Sequence, residues 1–156
     1  MAASVFMLDT DMLIFIIRGL KRQRTAAASF GKAERILDCI RREQAAGARV
    51  GVSAVTVSEL EYGTCRSKQP IRERHAVTKV LAPFELFDYD AVSAPRHYGE
   101  IRAQLEAVGV PIGAMDLLIA AHARALGAIL ITNNTAEFAR VNGLRCANWA
   151  EPATGA

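Results

Sequence analysis

Short apolar runs alternate with stretches of helical periodicity along the whole chain, and that alternation leaves few folds open. Runs at about residues 4–9, 49–53, 84–88, 128–132 and 144–147 have the length and bounding residues of strands. Between them the pattern predicts helices. One runs from Asp9-Thr10-Asp11 to near Gly19, and a second over about 31–46 carries Ala33, Ile36, Leu37 and Ile40 on one face. Others are expected over about 55–66, from Pro70 to just before Pro83, and over about 90–107. A nearly all-apolar helix follows Asp116, and a helical turn spans Ala136 to Val141. Strands separated by helices imply a parallel α/β sheet with right-handed crossovers and helices on both faces, with Leu144 to Ala147 as an edge strand.

At 156 residues the chain is expected to form one domain over residues 1–150, with 151–156 as a frayed tail. Its 51% apolar and 22% charged composition belongs to globular proteins. No apolar run is long enough to span a bilayer and no secretory signal opens the chain, so a cytoplasmic protein is expected. Cys39, Cys65 and Cys146 are scattered and odd in number, which fits reduced thiols. With His75, His97 and His122 they make no zinc spacing, so any metal would be a hard cation held by oxygen. Net charge is only +3, but 15 of the 19 basic residues are arginine, the forked binder of phosphate. Arg18, Lys21, Arg22 and Arg24 cluster after the first helix, either as a solvated helix end or as part of a nucleic-acid path.

In an open parallel sheet, sites form beyond the carboxyl ends of the strands. Asp9 and Asn134 each fall just past such an end, Glu59 opens a helix, and Asp116 precedes another. Each acid has a local explanation. Asp9 or Asp11 would cap the first helix, Thr56 and Glu59 match a capping box, and Asp116 would meet a helix dipole. The joint explanation is a site for Mg²⁺ or Mn²⁺, which takes a few carboxylates plus water. Such a cation acidifies bound water and neutralises charge on a phosphoryl group. Spacing alone leaves both explanations open.

The wording around these acids is more specific. Leu8-Asp9-Thr10-Asp11, Ser58-Glu59-Leu60-Glu61-Tyr62-Gly63, the stretch Pro111 to Ala123, and Ile131 to Leu144 resemble the PIN-domain toxins of type II toxin–antitoxin systems. Asn148-Trp149 follows where that family has its closing residues. The likeness covers nearly the whole chain in the same order, and is strongest to the VapC branch that cuts tRNA, initiator tRNA in particular. It implies a PIN-like three-layer α/β/α fold and a Mg²⁺-dependent endoribonuclease acting on single-stranded or loop RNA. In-line hydrolysis would leave 5′-phosphate and 3′-hydroxyl ends. The resemblance further implies silencing by a VapB-type antitoxin, a homodimer, and contact with DNA only through the antitoxin complex.

By motif, Asp9 and Asp116 would be direct metal ligands, with Glu59 coordinating directly or through water. Asn134 and Thr132 would occupy the polar fourth position. Asparagine at 134, where the broader pattern often has aspartate, implies one charge fewer and favours one metal over two. Asp11 stands where asparagine is common and is expected to give polar support at most. Arginines near the pocket would position the RNA backbone, with Arg18 and Arg96 as candidates, while His97 and His122 are read as packing residues.

Two other classes compete. Asp9-Thr10-Asp11 and Ile129 to Asn133 imitate the first two motifs of haloacid-dehalogenase-type phosphatases. That chemistry also needs a later lysine and an acidic pair, yet the last lysine is Lys79 and only Glu137 and Glu151 follow Thr132 as acids. A non-catalytic RNA- or protein-binding module would have no use for three gathered carboxylates.

Overall fold

A computed structural model of the chain describes residues 2–21 and 27–153, so Arg22 and Arg24 of the basic cluster and the last residues of the tail lie outside it. Five strands, β1 (Val5–Leu8), β2 (Arg49–Ser53), β3 (Glu85–Phe87), β4 (Ile129–Ile131) and β5 (Arg145–Ala147), form one sheet in the order β3-β2-β1-β4-β5. All four pairings are parallel, as the alternation of elements requires. Seven helices connect them: α1 (Thr10–Lys21), α2 (Ala27–Ala45), α3 (Ala54–Arg66), α4 (Pro70–Leu81), α5 (Ser93–Ala107), α6 (Ala114–Leu126) and α7 (Thr135–Phe138). The second helix begins earlier than its apolar spacing indicates, and the third and fifth begin within a few residues of expectation.

The central strand shows why three layers form. Side chains alternate across a strand, and in β1 Phe6 and Leu8 enter one core while Met7 enters the other. The first core gathers Met12, Leu13, Ile16, Ile36, Ile40, Val77 and Val80 from α1, α2 and α4. The second gathers Ile101, Leu105, Leu117, Ile119 and Phe138 from α5, α6 and α7. In β2, Val50 and Val52 face the first core, and Gly51 faces the other way beneath the Phe87 ring. A Cβ at Gly51 would sit 2.3 Å from the Glu85 carbonyl oxygen and 2.6 Å from that ring, so only glycine fits. Trp149 closes the domain, its ring 5.1 Å from that of Phe6, while Arg35 Nε donates to the Ala150 carbonyl at 2.8 Å.

Strand order fixes the place of the site. The chain builds outward from β1 through β2 to β3, then returns to place β4 on the other side of β1. Connections therefore leave β1 and β4 in opposite directions, opening a crevice beyond their carboxyl ends. No helix among the described residues is long and apolar enough to cross a membrane.

Candidate functional site

Asp9 follows the last residue of β1 and is 6% exposed. One of its oxygens accepts the backbone N–H of Thr10 at 2.8 Å, and the other accepts the Thr132 hydroxyl at 2.8 Å. Local capping and a place in the pocket are thus combined in one side chain. Burial, then the charge of Asp11, pushes its pKa up to about 6, against the hydrogen bonds from Thr132 and Thr10. Glu59 adds a smaller repulsion from α3.

Thr56 does not open α3. Ser53 caps that helix, its hydroxyl oxygen accepting the Val55 N–H at 3.0 Å, and Thr56 is buried one turn further in. The capping-box expectation fails because the end of β2 supplies a serine before the threonine is reached. Glu59 is therefore free of the helix terminus and takes a hydrogen bond from the Thr10 hydroxyl at 2.7 Å, with the Thr56 hydroxyl 3.2 Å from that of Thr10.

Asp116 sits in the first turn of α6, where the helix dipole favours an anion. Its pKa is nevertheless pushed up to about 6, by burial first and then by the charges of Asp9, Glu137 and Glu59. Four carboxylates from four segments thus share one electrostatic pocket at the carboxyl edge of the sheet. Asp11 borders it, with Oδ2 accepting the Asn133 N–H at 3.0 Å and Oδ1 buried without a hydrogen-bond partner. Its pKa too is raised, chiefly by burial.

Asn134 is held by two hydrogen bonds beside the pocket. Its backbone N–H donates to Thr132 Oγ1 at 3.0 Å, and its side-chain amide donates to Glu137 Oε2 at 2.7 Å. Glu137 is one of the three carboxylates whose charge acts on Asp116, after Asp9 and before Glu59, so an acid three residues beyond Asn134 adds a charge to the pocket. Sequence reasoning passed over Glu137, although an acid in the helical turn directly after a strand-end polar pair was the available signal.

Of the other residues singled out, Arg18 and Arg96 are exposed and Lys21 is paired with Glu73 at 2.5 Å. His97 accepts from Arg124 Nε at 2.7 Å, and His122 is buried with Nδ1 2.8 Å from Ser53 Oγ.

The donor set suits a hard divalent cation. Every candidate ligand is a carboxylate oxygen, burial and then neighbouring carboxylates raise the pKa values of Asp9 and Asp116, and Asp11 Oδ1 is a buried acceptor with no partner among the described residues. Among the described residues no three Asp, Glu, His or Cys side chains stand close enough to enclose an ion by themselves. Mg²⁺ does not need such a cage, since it keeps several waters and binds through one or two carboxylates.

An acidic pocket at the switch point of a five-stranded parallel sheet defines the class of protein, and likeness to known proteins makes it particular. The sequence profile of the PIN domain matches residues 6–144. The tRNA(fMet)-specific endonuclease VapC of Shigella flexneri is 37% identical over 145 residues, covering 93% of this chain and 98% of that one. Ribonuclease VapC2 of Haemophilus influenzae is 36% identical over 144 residues, covering 92% and 97%. Among solved structures, VapBC2 from Rickettsia felis bound to a promoter DNA fragment superposes with a TM-score of 0.79 at 30% identity, covering 93% of this chain and 98% of that one. DNA-bound VapBC from Salmonella typhimurium gives 0.78 at 34%, covering 94% and 98%. The chain belongs to the PIN-domain family, in its VapC branch.

Proposed function

We propose that this chain is a Mg²⁺-dependent endoribonuclease, the toxin of a type II toxin–antitoxin pair, which cleaves tRNA in a single-stranded loop. The observation that carries the reading is the gathering of Asp9, Glu59, Asp116 and Glu137 from four segments into one crevice, where Thr132 holds Asp9 and Thr10 holds Glu59, reinforced by a near-full-length relative named for tRNA(fMet). Asp9 and Asp116 would hold the cation directly, with Glu59 and Glu137 reaching it through water. Bound there, the cation supplies charge to the phosphoryl oxygens and acidifies the attacking water. The chain's own task is positioning. Thr132 orients Asp9, Thr10 orients Glu59, and Asn134 orients Glu137. In-line hydrolysis would leave 5′-phosphate and 3′-hydroxyl ends, and Mn²⁺ would serve in place of Mg²⁺.

Neighbouring structures contain VapB with VapC on DNA, which supports a VapB-type antitoxin as partner and contact with DNA through that complex. A homodimer and a cytoplasmic location accompany this reading. Incubating the purified protein with tRNA and Mg²⁺ tests it, with EDTA and Asp9→Ala as controls. Cleavage that needs both the cation and Asp9 is the expected result. Intact tRNA under every condition would leave a binding module, and phosphate released from small esters would leave a phosphatase.

A further inference from the structure

We propose that Ser53 and His122 form a positioning pair that sets the placement of Glu59 relative to Asp116 for cation binding. This inference rests on the metal-site reading given above. Ser53 ends β2 and is completely buried, and His122 on α6 is 1% exposed. Ser53 Oγ lies 2.8 Å from His122 Nδ1 while accepting the Val55 N–H. We assign the Ser53 proton to this bond, with Nδ1 accepting it and the neutral imidazole carrying its own proton on Nε2 toward the Asp88 backbone. Among the described residues this is the one side-chain hydrogen bond joining the β2–α3 corner to α6.

Ser53 caps the acid-bearing helix α3, and His122 lies in the second half of α6, whose first turn carries Asp116. Glu59 follows Ser53 by six residues on α3, and Asp116 precedes His122 by six on α6, about 9 Å along each axis. Glu59 has a second anchor in the Thr10 hydroxyl at 2.7 Å. Asp116 feels burial and neighbouring carboxylates, and among the described residues no hydrogen bond steadies its side chain. Its position is therefore the position of α6, and the polar tie between α6 and α3 is His122.

Plain packing would be better served by an apolar ring. The slot is made by Phe87 and Tyr89, whose rings meet the imidazole edge-on at centroid distances of 6.5 and 5.5 Å. Nε2 is buried and has no well-formed hydrogen bond among the described residues, its polar neighbour being the Asp88 backbone, so the ring carries a desolvation cost that phenylalanine or leucine would avoid. What the imidazole adds in that slot is a single directional bond to the capping serine. Such a buried bond fixes one arrangement of two elements where apolar contact allows several.

The test measures Mn²⁺ affinity of the full chain without RNA, from the paramagnetic resonance of free Mn²⁺, beside tRNA cleavage across a Mg²⁺ titration. In His122→Asn the amide oxygen takes the place of Nδ1 and keeps the acceptor. His122→Gln and His122→Phe lose it. Expected is a Mn²⁺ dissociation constant raised about tenfold in H122Q and H122F and kept within about threefold of wild type in H122N. The Mg²⁺ needed for half-maximal cleavage should move in parallel. Ile101→Val, a trimmed residue of the same core, should lower Tm and leave Mn²⁺ affinity unchanged. If H122F does not melt cooperatively, the contrast between H122N and H122Q decides. Equal affinities for wild type and H122Q, or H122N as weak as H122Q, or an equal loss in I101V, would overturn the positioning role. Asp9→Ala separates that failure from failure of the site: D9A that binds Mn²⁺ and cuts tRNA like wild type removes the metal reading itself.

Discussion

At the amino edge of the sheet, Arg49 of β2 and Glu85 of β3 meet in an exposed ion pair, and the Arg49 guanidinium holds the Glu85 carboxyl below its ordinary range. At the carboxyl edge, Asp9 and Asp116 lie among other acids, and burial and repulsion push both up to about 6. The same functional group shifts in opposite directions at the two ends of one sheet. Where a carboxylate meets a guanidinium in water its charge is satisfied and little free energy is stored. Where carboxylates meet one another in a crevice, the protein carries a repulsion that a cation relieves. Charge at the amino edge serves the surface, and charge at the carboxyl edge calls for a ligand.

The sharpest way to break this contrast is to remove an acid from the crevice. Asp9→Ala or Asp116→Ala should lower tRNA cleavage at least about a thousandfold, since metal-assisted charge stabilisation supplies several kcal/mol at about 1.4 kcal/mol per decade. Timed cleavage on gels measures it, and activity near wild type would end the contrast.

A stability measurement comes next. The folded pKa of Asp9 lies at about 6, above its ordinary 3.8, so between those values the folded state binds more protons than the unfolded one. Its favourable contribution is full below pH 3.8 and is lost as pH rises through about 6. Asp9→Asn should therefore stabilise the metal-free protein at pH 7.5 by about 1–3 kcal/mol and much less at pH 4. Asparagine still accepts from the Thr10 N–H and can donate to the Thr132 oxygen. Millimolar Mg²⁺ should raise the Tm of wild type and leave that of D9N unmoved. Thermal melts at both pH values, with and without the cation, check all of this.

Glu137→Gln should weaken Mg²⁺ affinity by about tenfold or less, because it removes one of the charges acting on Asp116 and keeps the hydrogen-bonding shape beside Asn134. Titration calorimetry measures the change. The smallest effect belongs to the opposite edge. Arg49→Ala should shift Tm by about a degree and leave cleavage untouched, as exposed pairs contribute little.

Much of this was legible in the chain. Short apolar runs marked the buried strands β1 and β4, because a strand buried on both faces needs little besides apolar residues of the right length, and period-two alternation marked the edge strand β3. Asp9, Glu59 and Asp116 stood out because each interrupts such a run or opens a helix. What escaped depends on contacts between distant segments. Thr56 and Glu59 have the spacing of a capping box, yet Ser53 caps the helix, since the helix begins where β2 stops. Glu137 is hidden in a four-residue helix with no periodicity to mark it. The bond from Ser53 to His122 spans 69 residues of sequence and has no local signature.

The placement of β1 between β2 and β4 also governs when the protein becomes dangerous to the cell that makes it. Asp9 leaves the ribosome 123 residues ahead of Thr132, which grips it, and ahead of β4, which pairs with β1. Trp149, which seals Phe6, emerges later still. A nascent polypeptide that stops short of β4 therefore has its first acid and no finished crevice. Competence waits on the segment from β4 to Trp149.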